Sequence, residues 1–128
     1  MSDGLVDTSV FIARESGRPL RIGALPERLA VSVVTIGELR AGVLVAPDLA
    51  TRAVRLATLT HALALEPVAI DEAVAEAWAT LRVALREAGI RMPVNDSWIA
   101  ATAMALGVPV VTQDDDYVAV SGLEVVHV

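Results

Sequence analysis

Residues 96–116 read Asp96-Ser97-Trp98-Ile99-Ala100-Ala101-Thr102-Ala103-Met104-Ala105-Leu106-Gly107-Val108-Pro109-Val110-Val111-Thr112-Gln113-Asp114-Asp115-Asp116. Asp96 to Leu106 has the composition of a buried helix, and Gly107 stops it. Val108 to Thr112 is β-branched and predicts a strand. Three carboxylates follow that strand after a single Gln113. Gly107 and Pro109 interrupt the uncharged stretch from Ser97 to Gln113, and a membrane span needs ~20 continuous apolar residues. The unit is a helix feeding a buried strand, with acids at the start of one and the end of the other.

The same alternation extends outward. Gly4-Leu5-Val6 is a short strand ending at Asp7, and Phe11 to Ala13 begins a short helix broken by Gly17 and Pro19. Leu29 to Val34 predicts a strand, and Thr35 opens a helix that runs to about Val45. A second helix runs from Asp48 to about His61, and Leu63 to Val68 predicts another strand. Asp71 caps a helix in which Val74, Ala77, Trp78, Leu81 and Leu85 recur at helical spacing until Gly89 ends it. Leu123 to Val128 is the last strand. Strands alternating with helices imply an α/β fold with a mainly parallel sheet.

Composition narrows the chemistry. The 128 residues fit one domain, read as 1–128. Hydrophobic residues make up 55%, which excludes intrinsic disorder, and aromatics only 3%, so Ala, Val, Leu and Ile must build the core. The chain has no cysteine, which removes disulfides, thiolate catalysis and Cys-ligated zinc. It also has no lysine, since all ten basic residues are arginine. That removes P-loop hydrolysis, Schiff-base chemistry, and the phosphatase and receiver domains that pair strand-end acids with a lysine. His61 and His127 are too few for a His-rich metal site. The start lacks a basic leader segment, so a soluble cytoplasmic protein is expected.

The acids carry the functional signal. Asp7 follows the first strand, Glu38 lies in the first turn of the next helix, Asp96 begins another, and Asp114 and Asp116 follow a later strand. Residues just past the carboxyl ends of parallel strands share one edge, where open α/β sheets bind ligands. Each acid has a plain alternative. Thr35-x-x-Glu38 matches a capping box, Asp7 and Asp96 could cap helices, and Asp114-Asp115-Asp116 could be a solvated turn. Caps do not explain convergence. Packed carboxylates repel unless neutralised, and a hard divalent cation such as Mg²⁺ or Mn²⁺ prefers their oxygens. Without Asp7, Glu38, Asp96, Asp114 and Asp116 the chain would carry 11 acids against 10 bases, so these five account for most of the net charge of −6. Such a site, lacking a Cys, Lys or His nucleophile, suits metal-assisted phosphodiester hydrolysis by one or two ions.

At these residues the chain resembles the PIN-domain ribonucleases, and within them the VapC-type toxins of bacterial toxin–antitoxin pairs. Leu5-Val6-Asp7-Thr8-Ser9, Ser32-Val33-Val34-Thr35-Ile36-Gly37-Glu38-Leu39, Asn95-Asp96-Ser97-Trp98-Ile99-Ala100-Ala101-Thr102-Ala103 and Val111-Thr112-Gln113-Asp114-Asp115-Asp116-Tyr117 look like the family's four motifs in order. The resemblance implies a three-layer α/β/α fold with a five-stranded, mainly parallel sheet. It implies an endoribonuclease dependent on Mg²⁺ or Mn²⁺, with Asp7, Glu38, Asp96 and Asp114 as the acidic quartet and Asp116 as an accessory acid. Thr8, Ser9, Asn95 and Thr112 would support those carboxylates, and Tyr117, where the family often has Phe, reads as packing. The resemblance also implies a VapB-type antitoxin seated on the helices of residues 35–61, and a homodimer through the 71–90 helix or its neighbours.

A net charge of −6 sits awkwardly with RNA binding, which normally uses basic patches. Arg14, Arg18, Arg21 and Arg40 lie near the proposed edge in sequence and are candidates for phosphate contacts. A non-catalytic PIN-like module that binds RNA or protein is the alternative reading.

Overall fold

The computed structural model describes residues 2–118 and 120–128. Four strands, β1 (Asp3–Val6), β2 (Arg28–Ala30), β3 (Val110–Thr112) and β4 (Val125–His127), form one sheet in the order β2-β1-β3-β4. Every pairing is parallel. Among the described residues five α-helices accompany the sheet, α1 (Thr8–Ser16), α2 (Val33–Leu44), α3 (Leu49–Leu63), α4 (Glu72–Ala88) and α5 (Val94–Leu106), with a short 3-10 turn at Ile22–Ala24.

Local chemistry sets the helix ends. Asp7, Ser32, Asp48 and Asp71 each accept a backbone N–H of the first turn of the helix they precede. Gly17, Gly89 and Gly107 end α1, α4 and α5 in the left-handed conformation that costs glycine least. Side-chain alternation along the strands then makes three layers. Leu5 and Val110 point into a core with Leu81, Leu85, Ile99, Ala100 and Ala103 of α4 and α5. Their neighbours Val6 and Val111 point the opposite way, into a cluster with Val10 of α1 and Val128. Leu39, Val43, Leu59 and Ala62 close the α2–α3 hairpin. Fully buried alanines let α5 approach the sheet closely, as the aromatic-poor composition requires.

Three sequence expectations need correction. The helix expected to open at Thr35 begins at Val33, because Ser32 Oγ accepts the Val34 N–H at 3.1 Å. The strand expected over Leu29–Val34 therefore shortens to Arg28–Ala30. The strand expected over Leu63–Val68 does not form. Its first residue still belongs to α3, Glu66 adopts a positive φ of 54°, and Pro67 offers no N–H to a ladder. Only Val68 pairs, bridging in parallel to Ser32 beside the continuation of β2. The fifth lane of the expected sheet is thus a single bridge. Among the described residues no helix is long and apolar enough to cross a membrane.

Candidate active site

Because the strands are parallel, β1 and β3 deliver Asp7 and Asp114 to the same edge. Helix α5 starts at that edge with Asp96 in its first turn, and α2 brings Glu38. These four carboxylates line one open cleft of about 280 Å³. Thr8, Ser9, Ile12 and Arg18 complete its wall.

Asp7 is held from three sides. The residue is 1% exposed. Oδ2 accepts the Ser9 N–H at 3.2 Å and the Thr112 hydroxyl at 3.0 Å. Oδ1 accepts the Tyr117 hydroxyl at 2.7 Å. Asp7 is therefore a helix cap and a site residue at once. Ser9 Oγ lies 3.1 Å from Thr112 Oγ1 and accepts the Gln113 N–H at 3.0 Å. Thr112 Oγ1 also accepts the Asp114 N–H at 2.9 Å, so one hydroxyl network positions the turns bearing Asp7 and Asp114.

Glu38 does not form the capping box its spacing allows. With Ser32 as the cap, Thr35 lies inside α2 and Glu38 stands in the second turn. Its Oε1 accepts the Thr8 hydroxyl at 2.7 Å and its Oε2 the Asn95 amide at 3.4 Å. Thr8 Oγ1 also lies 2.9 Å from the buried Thr35 Oγ1.

Asp96 follows Pro93, Val94 and Asn95 at the start of α5, so it is a first-turn acid and not the cap. Burial pushes its carboxyl up to about 7, and the charges of Asp7, Asp116, Glu38 and Asp114 add to the effect. Burial also raises Asp114, with Asp7 and Asp116 adding and Arg18 opposing. Asp116 is exposed and outside the cleft wall, yet its charge is felt by both. Burial and then Asp7 keep the Tyr117 phenol far above its ordinary range, so it acts only as a donor.

The donor set suits a hard cation, being all carboxylate and hydroxyl oxygen. Among the described residues no three acidic or histidine side chains already stand close enough to enclose an ion. Four carboxylates line the cleft together, with Arg18 as the lone cation in its wall.

Of the other expected residues, Thr8, Ser9, Asn95 and Thr112 all contact the carboxylate network. Arg18 reaches the cleft, Arg14 lines a separate groove against α3, and the exposed Arg21 and Arg40 stay outside the cleft wall. Sequence reasoning missed the role of Tyr117. Its signal was slight: the one tyrosine of an aromatic-poor chain, three residues past Asp114.

The PIN domain family matches residues 4–123. The chain belongs to the PIN-domain family. It is 49% identical over 125 residues to "Ribonuclease VapC5" of Mycobacterium tuberculosis, covering 98% of this chain and 93% of that protein. It is 51% identical over 129 residues to "Ribonuclease VapC4" of the same organism, covering 97% and 95%. The solved structure of a member of the VapBC family of toxin–antitoxin systems, VapBC-5 from Mycobacterium tuberculosis, superposes with a TM-score of 0.91. That match is 43% identical and covers all of both chains. The motifs of this PIN domain thus sit in a fold its relatives share from end to end.

Proposed function

We propose that this PIN domain is the endoribonuclease toxin of a toxin–antitoxin pair, hydrolysing RNA phosphodiester bonds with a divalent cation. The observation that carries the reading is the convergence of Asp7, Glu38, Asp96 and Asp114, from four distant segments, on one cleft. The names of its VapC relatives support it.

In this reading the four carboxylates would hold one or two Mg²⁺ or Mn²⁺ ions, with Asp116 contacting through water. Bound there, the cation supplies Lewis acidity, lowering the pKa of water and stabilising charge on phosphorus and the leaving oxygen. The chain's own groups do the rest. Asp7, clamped by Tyr117, Thr112 and Ser9, is the fixed ligand. Thr8 and Asn95 aim Glu38. Asp96 and Asp114 would supply the remaining negative charge to such a cation. Arg18 stands beside Asp114, placed to meet a phosphate.

The partner is a VapB-type antitoxin. Its seat is the groove beside the cleft, where Ile12, Glu15, Leu39, Gly42 and Arg55 of α1, α2 and α3 line a further cavity of about 260 Å³. A homodimer in the bacterial cytoplasm, paired through α4 or its neighbours, completes the proposal.

The test is incubation of purified protein with a panel of structured RNAs in Mg²⁺, Mn²⁺ or EDTA, beside Asp7→Asn and Asp96→Asn. Metal-dependent cuts that vanish in both variants are expected. RNA binding without cleavage under every condition would favour a non-catalytic PIN module.

A further inference from the structure

A second cleft, of about 620 Å³, lies along the C-terminal half of α4 and the connection that follows it. Arg82, Arg86 and Arg91 line it, with Val83, Ile90 and Met92 as apolar wall. Three of the ten basic residues therefore open on one hollow that no carboxylate lines. Among the described residues the sole ion pair is Arg28 with Asp3, so none of the three guanidinium groups is neutralised by an acid. All three are exposed.

Stability does not call for this arrangement. Arg82 and Arg86 are four residues apart on one helix face, where like charges repel. The C-terminal macrodipole of α4 welcomes Arg86 in the last turn, but it does not account for Arg82 or for Arg91 beyond the helix. In a chain with 16 acids and net charge −6, an acid-free hollow with three arginines is suited to an anion. Guanidinium groups match phosphate oxygens in a two-pronged geometry.

Trp78 Nε1 donates to Ser97 Oγ at 3.0 Å, which sets Trp78 beside the first turn of α5. Arg82 and Arg86 lie one and two turns further along α4, ~6 and ~12 Å from Trp78 at 1.5 Å per residue. The Trp78 ring stacks on Trp98 with centroids 4.4 Å apart, and Arg82 lies over Trp78 at 5.4 Å. The stacked rings join the cationic hollow to the helix that carries Asp96.

We infer that Arg82, Arg86 and Arg91 form a phosphate-binding cleft that holds the RNA backbone outside the carboxylate site. The inference rests on the ribonuclease reading and adds to it the surface by which an acidic protein grips a polyanion. The acidic cleft handles the bond that is cut. The arginine cleft supplies sequence-independent affinity outside it.

The experiment measures binding of a labelled stem–loop RNA to the full chain carrying Asp96→Asn, across a salt series. Arg82→Gln, Arg86→Gln and Arg91→Gln are added singly and together, with Arg52→Gln, an exposed arginine of α3, as the control for lost charge. Circular dichroism and sedimentation are run on each. Each single change is expected to weaken binding severalfold, and the triple about tenfold or more. The slope of log affinity against log salt should fall by ~2 units in the triple variant. In an otherwise wild-type background the triple variant should cleave with raised KM and preserved kcat. Affinity and slope equal to the parent, or losses matched by Arg52→Gln, overturn the inference while leaving the nuclease reading intact. Loss of binding that tracks dissociation of a dimer overturns it in favour of a protein interface. A parent chain that neither binds nor cuts any RNA overturns both.

Discussion

The hydroxyl of Tyr117 donates to Oδ1 of Asp7 across 2.7 Å, joining residues 110 positions apart. The acceptor is buried, and the phenol holds its proton throughout the working pH range because burial and the facing carboxylate both resist ionisation. Tyr117 is thus a positioning residue whose hydroxyl, with Thr112 and the Ser9 N–H, fixes the Asp7 carboxylate. Tyr117→Phe keeps the ring's packing and removes only that donor. The expected result is a loss of about 1 kcal/mol in unfolding free energy. Affinity for Mn²⁺ should fall about tenfold, the usual cost of losing a partner behind a ligand. Calorimetric titration with Mn²⁺ reads the second effect, and an unchanged affinity would make Tyr117 packing alone.

Glu38 and Ser32 separate site from scaffold on one helix. Ser32→Ala should cost about 1 kcal/mol of stability by removing the cap of α2, with little change in cleavage. Glu38→Gln should leave the thermal midpoint unchanged or higher, since it removes a charge from a repulsive cluster. It should lower the cleavage rate at least about a hundredfold, beyond the ~10–100-fold typical of groups that merely support a ligand. Thermal melts and single-turnover cleavage on both variants check the contrast. Equal destabilisation by the two changes would return Glu38 to a capping role.

The folded chain holds the Asp96 proton up to about pH 7, whereas an unfolded Asp releases it near 3.9. Between those values the folded state binds more protons than the unfolded one, so this group's contribution to stability falls as pH rises. It is fully present below about pH 4 and lost above about pH 7. Asp114 acts in the same direction. Without metal, the difference in midpoint between wild type and Asp96→Asn should move in favour of the variant as pH rises from 4 to 8. Mn²⁺ should raise the wild-type midpoint more at pH 8 than at pH 5, because a cation competes with the proton. Melting curves in EDTA and in Mn²⁺ across that range check this. A difference that is flat with pH would contradict it.

Gly4 tests how tightly the site is mounted. A Cβ there would lie 2.7 Å from Cγ of Pro26 and 2.7 Å from Cγ2 of Val111. β1 lies against β3 three residues before Asp7 and has no room to shift. Gly4→Ala should therefore cost about 1–3 kcal/mol by overpacking. Denaturant unfolding reads the loss directly.

Much of this was legible from residues alone, for reasons that can be stated. The parallel order of apolar strands and helices, and acids just beyond β1 and β3, required only local composition and the shared-edge rule. Glu38 was legible as a site residue but not as a second-turn one. Ser32 and Thr35 are both good caps, and the choice between them depends on where β2 stops, which is set by pairing with β1. The segment from Leu63 to Val68 has strand composition, yet α3 runs on through Leu63 and Pro67 denies the ladder a donor. Tyr117 and the Arg82–Arg86–Arg91 hollow were hidden because both depend on tertiary neighbours. Their partners lie across the fold or beyond a helix turn, where spacing gives no sign of them.

The most direct measurement is calorimetric titration of Mn²⁺ into the metal-free chain, beside Asp7→Asn and Asp96→Asn. The account requires saturable binding of one or two ions, weakened at least about tenfold by either substitution. Absence of saturable binding, or binding that both variants retain at wild-type affinity, would show that the carboxylate cleft is not a metal centre.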